Sequence, residues 1–103
     1  MNDAVNNIKD LLSRASISVF GTGKSSVLEN APSGYKPSDM LSSAESILCL
    51  GIEVPKGVFH CGERSNEMYW RSANIYYRNM DMILMQVCRI IEEKGETAMP
   101  VFG

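Results

Sequence analysis

The feature that most constrains the fold is a long helical pattern over residues 66–94. Apolar side chains recur there every three or four residues, which is the spacing of one face of an α-helix. The stripe consists of Tyr69, Ala73, Tyr76, Met80, Ile83, Val87 and Ile90. Further apolar positions widen it to more than half of the circumference, namely Trp70, Tyr77, Leu84, Cys88 and Ile91. A helix this apolar is expected at the centre of its domain or at a contact with another subunit.

The rest of the chain predicts a small α/β domain around this helix. The predicted elements are a helix carrying Val5, Ile8, Leu11 and Leu12, a strand over residues 17–20 ended by Gly21 and Gly23, a helical turn over 37–41, a strand over 46–54 and a last strand over 98–103. The strand over 46–54 contains the apolar run ILCLGI, which is typical of a strand covered on both faces. Gly95 suits a position just past the end of the long helix. We therefore expect one domain, residues 1–103, of a small three-layer type with about three strands and three helices.

Composition excludes several classes of protein. A chain of 103 residues has room for one small domain. Its net charge of −2 and isoelectric point near 5.3 disfavour nucleic-acid binding, which needs a basic stripe. No run approaches the roughly 18 apolar residues of a membrane span, and the polar start MNDAVNNIKD does not resemble a signal peptide. The cytoplasm is the expected location, with no nucleic acid or membrane as partner.

The cysteines indicate neither a disulfide framework nor a metal centre. Cys49 lies in a predicted strand, Cys61 in a loop and Cys88 in the long helix. Iron–sulfur clusters and structural zinc need closely spaced thiolates, and these three are far apart in the chain. His60 beside Cys61 is the one candidate pair, and an ordinary loop cysteine is the favoured interpretation. We assign no metal ligand and no catalytic residue.

The segment GTGKSS, residues 21–26, invites a nucleotide-binding interpretation because it resembles the end of a P-loop. A P-loop needs another glycine five positions before the second one, where this chain has Ser18. It also needs a substantial helix directly after the lysine and serine, and only a few residues precede Pro32. A looser anion site on the backbone amides around Gly21 and Gly23, helped by Lys24, is the more plausible alternative.

A polar face of the long helix allows two interpretations. Arg71, Asn74, Arg78 and Asp81 recur at helical spacing and so share one side. The favoured interpretation is a solvated stripe in which Arg78 pairs with Asp81, worth a few tenths of a kcal/mol. The functional alternative is a row of donors that faces an anionic ligand or a further part of the domain.

Several segments together resemble a known family. Residues 34–41 (GYKPSDML) and 44–55 (AESILCLGIEVP) are similar to the pattern P-x-D-L-L-P-x-A-K-S-V-I-x-x-G-x-x-x-P. The later segments NIYY at 74–77, DM at 81–82, IEEKG at 91–95 and AMPV at 98–101 fit its continuation. The chain thereby resembles, over roughly residues 5–103, the N-terminal region of the epoxyqueuosine reductase-like iron–sulfur proteins, which are related to reductive dehalogenases.

The resemblance implies a nitroreductase-like α/β region that holds a corrinoid, followed by a ferredoxin-like module with two iron–sulfur clusters. Electrons then pass from the clusters to the cobalt. In that family the cluster cysteines and the proton-donating residues lie beyond the point that corresponds to Gly103, so no catalytic residue and no cluster ligand carries over. What carries over is a sheet built from the segments around Val19, Leu48 and Val101. The chain is accordingly expected to be the N-terminal portion of a larger domain.

Three hypotheses about function follow. The first is a partial redox-protein domain, incomplete as an enzyme by itself, that holds cobalamin or, less favoured, a flavin. Its candidate cofactor contacts are Gly21, Gly23, Lys24, Arg71 and Arg78. The second is a non-catalytic module that forms a homodimer or binds a separate iron–sulfur subunit, since a wide apolar helix face seeks a partner. The third is a small nucleotide-binding protein, which the arguments against a P-loop disfavour.

Overall fold

Helices and strands alternate along the computed structural model, which describes residues 2–102. The elements are α1 (Asn2–Arg14), β1 (Val19–Lys24), α2 (Pro37–Met40), β2 (Ser46–Gly51) and α3 (Ser65–Glu92). Three 3-10 turns lie between them, at Ser25–Leu28, Lys56–Phe59 and Gly62–Arg64. The described part of the chain is therefore a mixed α/β domain with three helices, as predicted, although its sheet is smaller than expected.

The sheet of the described residues has two strands instead of about three. β1 and β2 run antiparallel, with Val19 opposite Gly51 and Lys24 opposite Ser46. The predicted last strand is wrong, because residues 98–102 belong to no strand; Gly103 lies outside the described residues. Pro100 in this segment has no N–H to donate to a strand ladder, so an apolar composition alone does not place the segment in the sheet.

The limits of β1 also differ from the prediction. Gly21 and Gly23 do not end the strand but lie inside it, opposite Cys49 and Ile47. Glycine weakens a strand by itself, yet pairing along the whole of β2 holds both glycines in the ladder. The prediction that the second strand is covered on both faces is wrong as well, since the Cys49 side chain is exposed.

The core lies where α1 crosses the C-terminal half of α3. Its buried side chains are Ile8, Leu12, Ile83 and Val87, and Leu48 and Leu50 of β2 pack against them. Leu12 is only 2 % exposed. Each such side chain contributes about 1.5–3 kcal/mol when it leaves water. The helical periodicity predicted for both helices is thus confirmed at the positions where the two helices meet.

Both long helices end in left-handed backbone conformations. Ser16 follows α1 with φ of 60°, and the N–H of Ile17 donates to the Leu12 carbonyl at 3.0 Å. That bond is the signature of a Schellman cap. Gly95 follows α3 with φ of 87°, and its N–H donates to the Glu92 carbonyl at 3.1 Å. The predicted role of Gly95 at the end of the long helix is confirmed.

The segment between β1 and β2 leaves the sheet and returns to it. The N–H of Ser25 donates to the Glu45 carbonyl at 2.9 Å, which joins the two ends of the excursion. At its far side Pro37 opens α2, as predicted for the helical turn. One Asp39 carboxylate oxygen accepts from the N–H groups of Gly34 at 2.8 Å and Lys36 at 3.1 Å. The start of this short helix is therefore held by its own third residue.

Candidate functional site

The five predicted cofactor contacts lie on two elements. Gly21, Gly23 and Lys24 belong to β1, whereas Arg71 and Arg78 lie on α3. The Arg71 Nε atom is 3.9 Å from a Glu67 carboxylate oxygen, and both side chains are largely exposed. An exposed pair of this kind contributes only a few tenths of a kcal/mol and leaves Arg71 accessible. The role of the five residues in binding a cofactor stays a prediction.

Two shallow depressions in the described surface are lined by other residues. The first, about 320 Å³, is lined by Ser25, Ser26, Glu29, Lys36, Pro37 and Ser38. The second, about 520 Å³, lies between α1 and α3 and is lined by Asn7, Asp10, Leu11, Arg14, Gln86, Arg89, Ile90 and Glu93. The arginines of the second are paired within it, Arg14 with Asp10 at 3.1 Å and Arg89 with Glu93 at 3.8 Å. Both depressions mix opposite charges and so do not form an anion site.

The segment GTGKSS adopts a simple strand-and-turn geometry. β1 continues through Lys24, and one 3-10 turn, Ser25–Leu28, follows it. A phosphate loop instead wraps glycine-rich backbone around the anion and opens directly into a long helix. The geometry of this segment is not that of a nucleotide-binding loop.

Residues 2–102 leave much of the outer face of the sheet uncovered, above all around Gly21. Directly opposed residues share a face of an antiparallel pair, and Leu48 and Leu50 define the inner face because they pack on the helices. The outer face therefore carries the alternate residues Val19, Gly21, Gly23, Ile47, Cys49 and Gly51. Val19 is 61 % exposed, and a Cβ placed on Gly21 would meet no atom within 4 Å. This face has open space and only small or apolar side chains.

Sequence reasoning assigned no role to the outer-face residues of β2. Ile47, Cys49 and Gly51 alternate with Leu48 and Leu50, so the signal was the period of two in the run ILCLG. Because residues 47–50 are all apolar, the sequence does not distinguish inward-facing from outward-facing positions in this strand. The antiparallel pairing separates a covered face from an open one.

The N-terminal half of α3 is open on one side, while its other side carries the buried Ala73 and the contact of Tyr69 with Phe59. α3 has 28 residues and α1 only 13, so at 1.5 Å per residue α1 covers less than half of the longer helix. The predicted stripe is buried at Ala73, Ile83 and Val87, whereas Tyr69 of the same stripe is exposed. Trp70, by contrast, is 63 % exposed and Tyr77 is 41 % exposed. The wide apolar face predicted for this helix exists, but the described residues cover only one side of it.

The cysteines have separate environments. The Cys61 thiol donates to the Val58 carbonyl at 3.3 Å and lies 3.6 Å from the Ser65 hydroxyl. Burial raises the pKa of the Cys88 thiol on α3, and the Glu92 carboxylate raises it further. Across residues 2–102 no three histidine, cysteine or acidic side chains are grouped so that they could hold a metal ion. Cys61 lies between two 3-10 turns, so its predicted loop position is confirmed, and its interpretation as an ordinary loop cysteine stays a prediction.

The whole molecule exposes more surface than a closed domain of its mass. Its accessible surface is 7786 Å², against about 5,800 Å² expected for a compact monomer of 11.4 kDa. Its radius of gyration is 15.8 Å, against about 13 Å for a compact chain of this length. The excess of about 2,000 Å² is as large as a protein–protein interface.

Comparison with protein-family models, with curated proteins and with solved structures finds no match to this chain.

Among the helices of residues 2–102, none is both long and apolar enough to cross a membrane.

Proposed function

We propose that this chain is a non-catalytic association module of a redox protein and that it binds another protein surface through its open apolar faces. The partner is a second copy or a separate iron–sulfur subunit. The observation that carries this proposal is the excess of about 2,000 Å² of exposed surface over a closed domain of the same mass. A surface of this size with a large apolar share is the hallmark of an interaction site.

The location of the exposed apolar groups supports association. Trp70 and Tyr77 lie on the half of α3 that α1 does not reach, and Val19 lies on the outer face of the sheet. The two-stranded sheet also has two unpaired edges, and such edges readily accept a further strand. A two-stranded sheet is marginal by itself in water, so a partner that adds to it would also stabilise it.

The redox part of the proposal rests on the resemblance to the epoxyqueuosine reductase-like proteins. In this proposal β1, β2 and α3 are one part of a nitroreductase-like domain, and the partner completes it. The chain by itself then has no complete activity, because cluster ligands and proton donors come from elsewhere.

A second candidate function is the holding of a cofactor, with a corrinoid favoured over a flavin. The specific observation for it is the open space over Gly21 on the outer sheet face, where a planar group can lie against the backbone. Gly23 lies on the same face, and Lys24 ends the strand. Arg71 and Arg78 would supply charge from α3.

Sedimentation velocity tests the association proposal. Purified protein is compared from about 1 to 200 μM, alone and with an equimolar two-cluster ferredoxin-type protein. Proteins with an open apolar surface of interface size are expected to associate in this range, so at least one arm should show a larger species. A strict monomer in both arms contradicts the proposal.

Anaerobic absorption titration tests the second candidate, first with cobalamin and then with flavin mononucleotide. A saturable spectral shift is expected if the outer sheet face holds the cofactor. Gly21→Val should abolish the shift, because its side chain fills the open space. Gly57→Val is the matched control. A Cβ on Gly57 would also meet no atom within 4 Å, but Gly57 lies in the turn Lys56–Phe59, away from the sheet. Equal titration of both variants contradicts binding at this face.

A further inference from the structure

Three apolar residues form a regularly spaced row on the open side of α3. Trp70, Tyr77 and Leu84 follow one another at intervals of seven residues. A straight α-helix drifts only about 20° per seven residues, so the three side chains stay on one side over about 21 Å. Leu84 is half-buried, while Trp70 and Tyr77 are largely exposed. We call this row the aromatic seam.

The two open sides of α3 differ in charge. The side opposite the aromatic seam carries the exposed Ile75 and Met82, and at 100° per residue Arg71, Arg78 and Arg89 lie next to them. Pairing that side with its own copy would bring arginines together, which is unfavourable. At 100° per residue the seam is flanked by Ala73 and Met80 on one edge and by Asn74 and Asp81 on the other, and the arginines lie further round the helix. The seam is therefore the side of α3 that suits contact with an identical helix.

We propose that a second copy of this chain packs antiparallel on the aromatic seam, with a two-fold axis at Tyr77. This inference rests on the proposed function and names its partner and its surface. In a two-fold pair, residue i contacts residue j and residue j contacts residue i. Trp70 and Leu84 are each seven residues from Tyr77, so Trp70 of one copy meets Leu84 of the other on both sides of the axis. The row is self-complementary in this orientation.

The area available agrees with a second copy. The excess of about 2,000 Å², which is spread over the chain, is larger than the roughly 800 Å² that each partner buries in a standard interface. Phe59 and Tyr69 lie close to the same end of α3, with ring centres 6.0 Å apart, and both are exposed. They extend the contact beyond the seam itself. Aromatic anchors of this kind dominate the affinity of such interfaces.

The first readout is the fluorescence of Trp70, the only tryptophan in the chain. On dilution from about 200 to 0.1 μM its emission should shift to longer wavelength as the dimer separates, in step with the sedimentation data. Tyr77→Glu should weaken the dimer by about thirtyfold or more, the loss expected for an aromatic anchor. Met82→Glu is the matched control on the opposite side of α3 and should leave the dimer unchanged.

The second readout tests whether the two copies meet at position 77. In protein carrying Cys49→Ser, Cys61→Ser and Cys88→Ser, the added change Tyr77→Cys should give a disulfide-linked dimer, because equivalent residues meet at the axis. Met82→Cys in the same background should not. A dimer that survives Tyr77→Glu and cross-links no better at 77 than at 82 overturns the seam but leaves the association module standing. A monomer at all concentrations that still binds the ferredoxin-type protein overturns the second copy as partner. A monomer that binds neither overturns both.

Discussion

The helical half of this protein, meaning the crossing of α1 with the C-terminal half of α3, is closed, and the sheet half is open. Where α1 crosses α3, Ile8, Leu12, Ile83 and Val87 exclude water from one another. Within residues 2–102 the sheet packs on that core through Leu48 and Leu50 of its inner face, and its outer face and edges are largely uncovered. Both halves contain apolar residues at regular spacing, so the difference lies in what covers them.

The contrast separates two roles for apolar residues. In the helical half they stabilise the chain itself, since each lost contact leaves a cavity. Exposed apolar residues such as Val19 on the outer sheet face and Trp70 and Tyr77 on the seam contribute little to the isolated chain, because they already face water. Residues of the second kind are the ones available for binding. Substitutions in the two halves should therefore affect different measurements.

The largest expected effect comes from Leu12→Ala in the closed half. Removing this side chain should lower the free energy of unfolding by about 2–5 kcal/mol, because its site is almost fully enclosed. Urea unfolding followed by far-UV circular dichroism measures the change. Val19→Ala on the outer sheet face is the control and should cost less than about 0.5 kcal/mol. Equal losses for both variants would remove the distinction between the two halves.

Gly21→Val should stabilise the open half. A Cβ at this position would meet no atom within 4 Å, and valine favours a strand over glycine by up to about 1 kcal/mol. Thermal unfolding at low protein concentration should show a higher midpoint. A lower midpoint would mean that something already covers the outer face of the sheet, for example a second copy.

Ser16→Gly tests whether the left-handed backbone at the end of α1 is strained. Ser16 holds φ of 60° in the cap of α1, a conformation that glycine adopts without strain. We expect a gain of about 0.5 kcal/mol in the free energy of unfolding. Ser13→Gly, an exposed position within α1, should lose about 0.5–1 kcal/mol. If both variants lose stability, the left-handed cap is not under strain.

The smallest effect concerns pH. Burial, and then the Glu92 carboxylate, raise the pKa of the Cys88 thiol, so the folded chain keeps this proton to higher pH than the unfolded chain. The unfolded state therefore loses its proton first, and stability should fall as pH rises from about 8.5 through the folded-state pKa. The midpoint of thermal unfolding, measured from pH 7 to 10, should fall more for the native protein than for Cys88→Ala. Parallel curves would show that Cys88 contributes nothing to the pH dependence.

Elements that depend on residues close together in the sequence were predicted correctly, and elements that depend on distant residues were not. The helix over 66–94 was predicted to within two residues of Ser65–Glu92, because its periodicity and the glycine after it are local signals. The strand over 98–103 was predicted from composition and is wrong, since a strand needs a partner that composition does not specify. Gly21 and Gly23 were predicted to end β1, which is wrong because their pairing with Cys49 and Ile47 of β2 keeps them in the strand.

The candidate site shows the same division. Trp70, Tyr77 and Leu84 were recognised as part of a wide apolar face from their spacing, but which side of that face stays uncovered depends on the length and position of α1. Lys24 and Arg71 were selected for their chemistry. Their distance from each other and from a pocket depends on the packing of a strand against helices.

The sequence by itself determined the mixed α/β class, the three helices, the left-handed end of α3 and the residues able to form its apolar stripe. These properties depend on neighbours within a few positions along the chain. Only the tertiary structure decided that the sheet has two antiparallel strands, that much of its outer face is uncovered and that Trp70 and Tyr77 face water. Each of these depends on contacts between residues far apart in the sequence. Bringing such residues together costs conformational entropy, and only tertiary packing, which a local sequence pattern does not specify, offsets that cost.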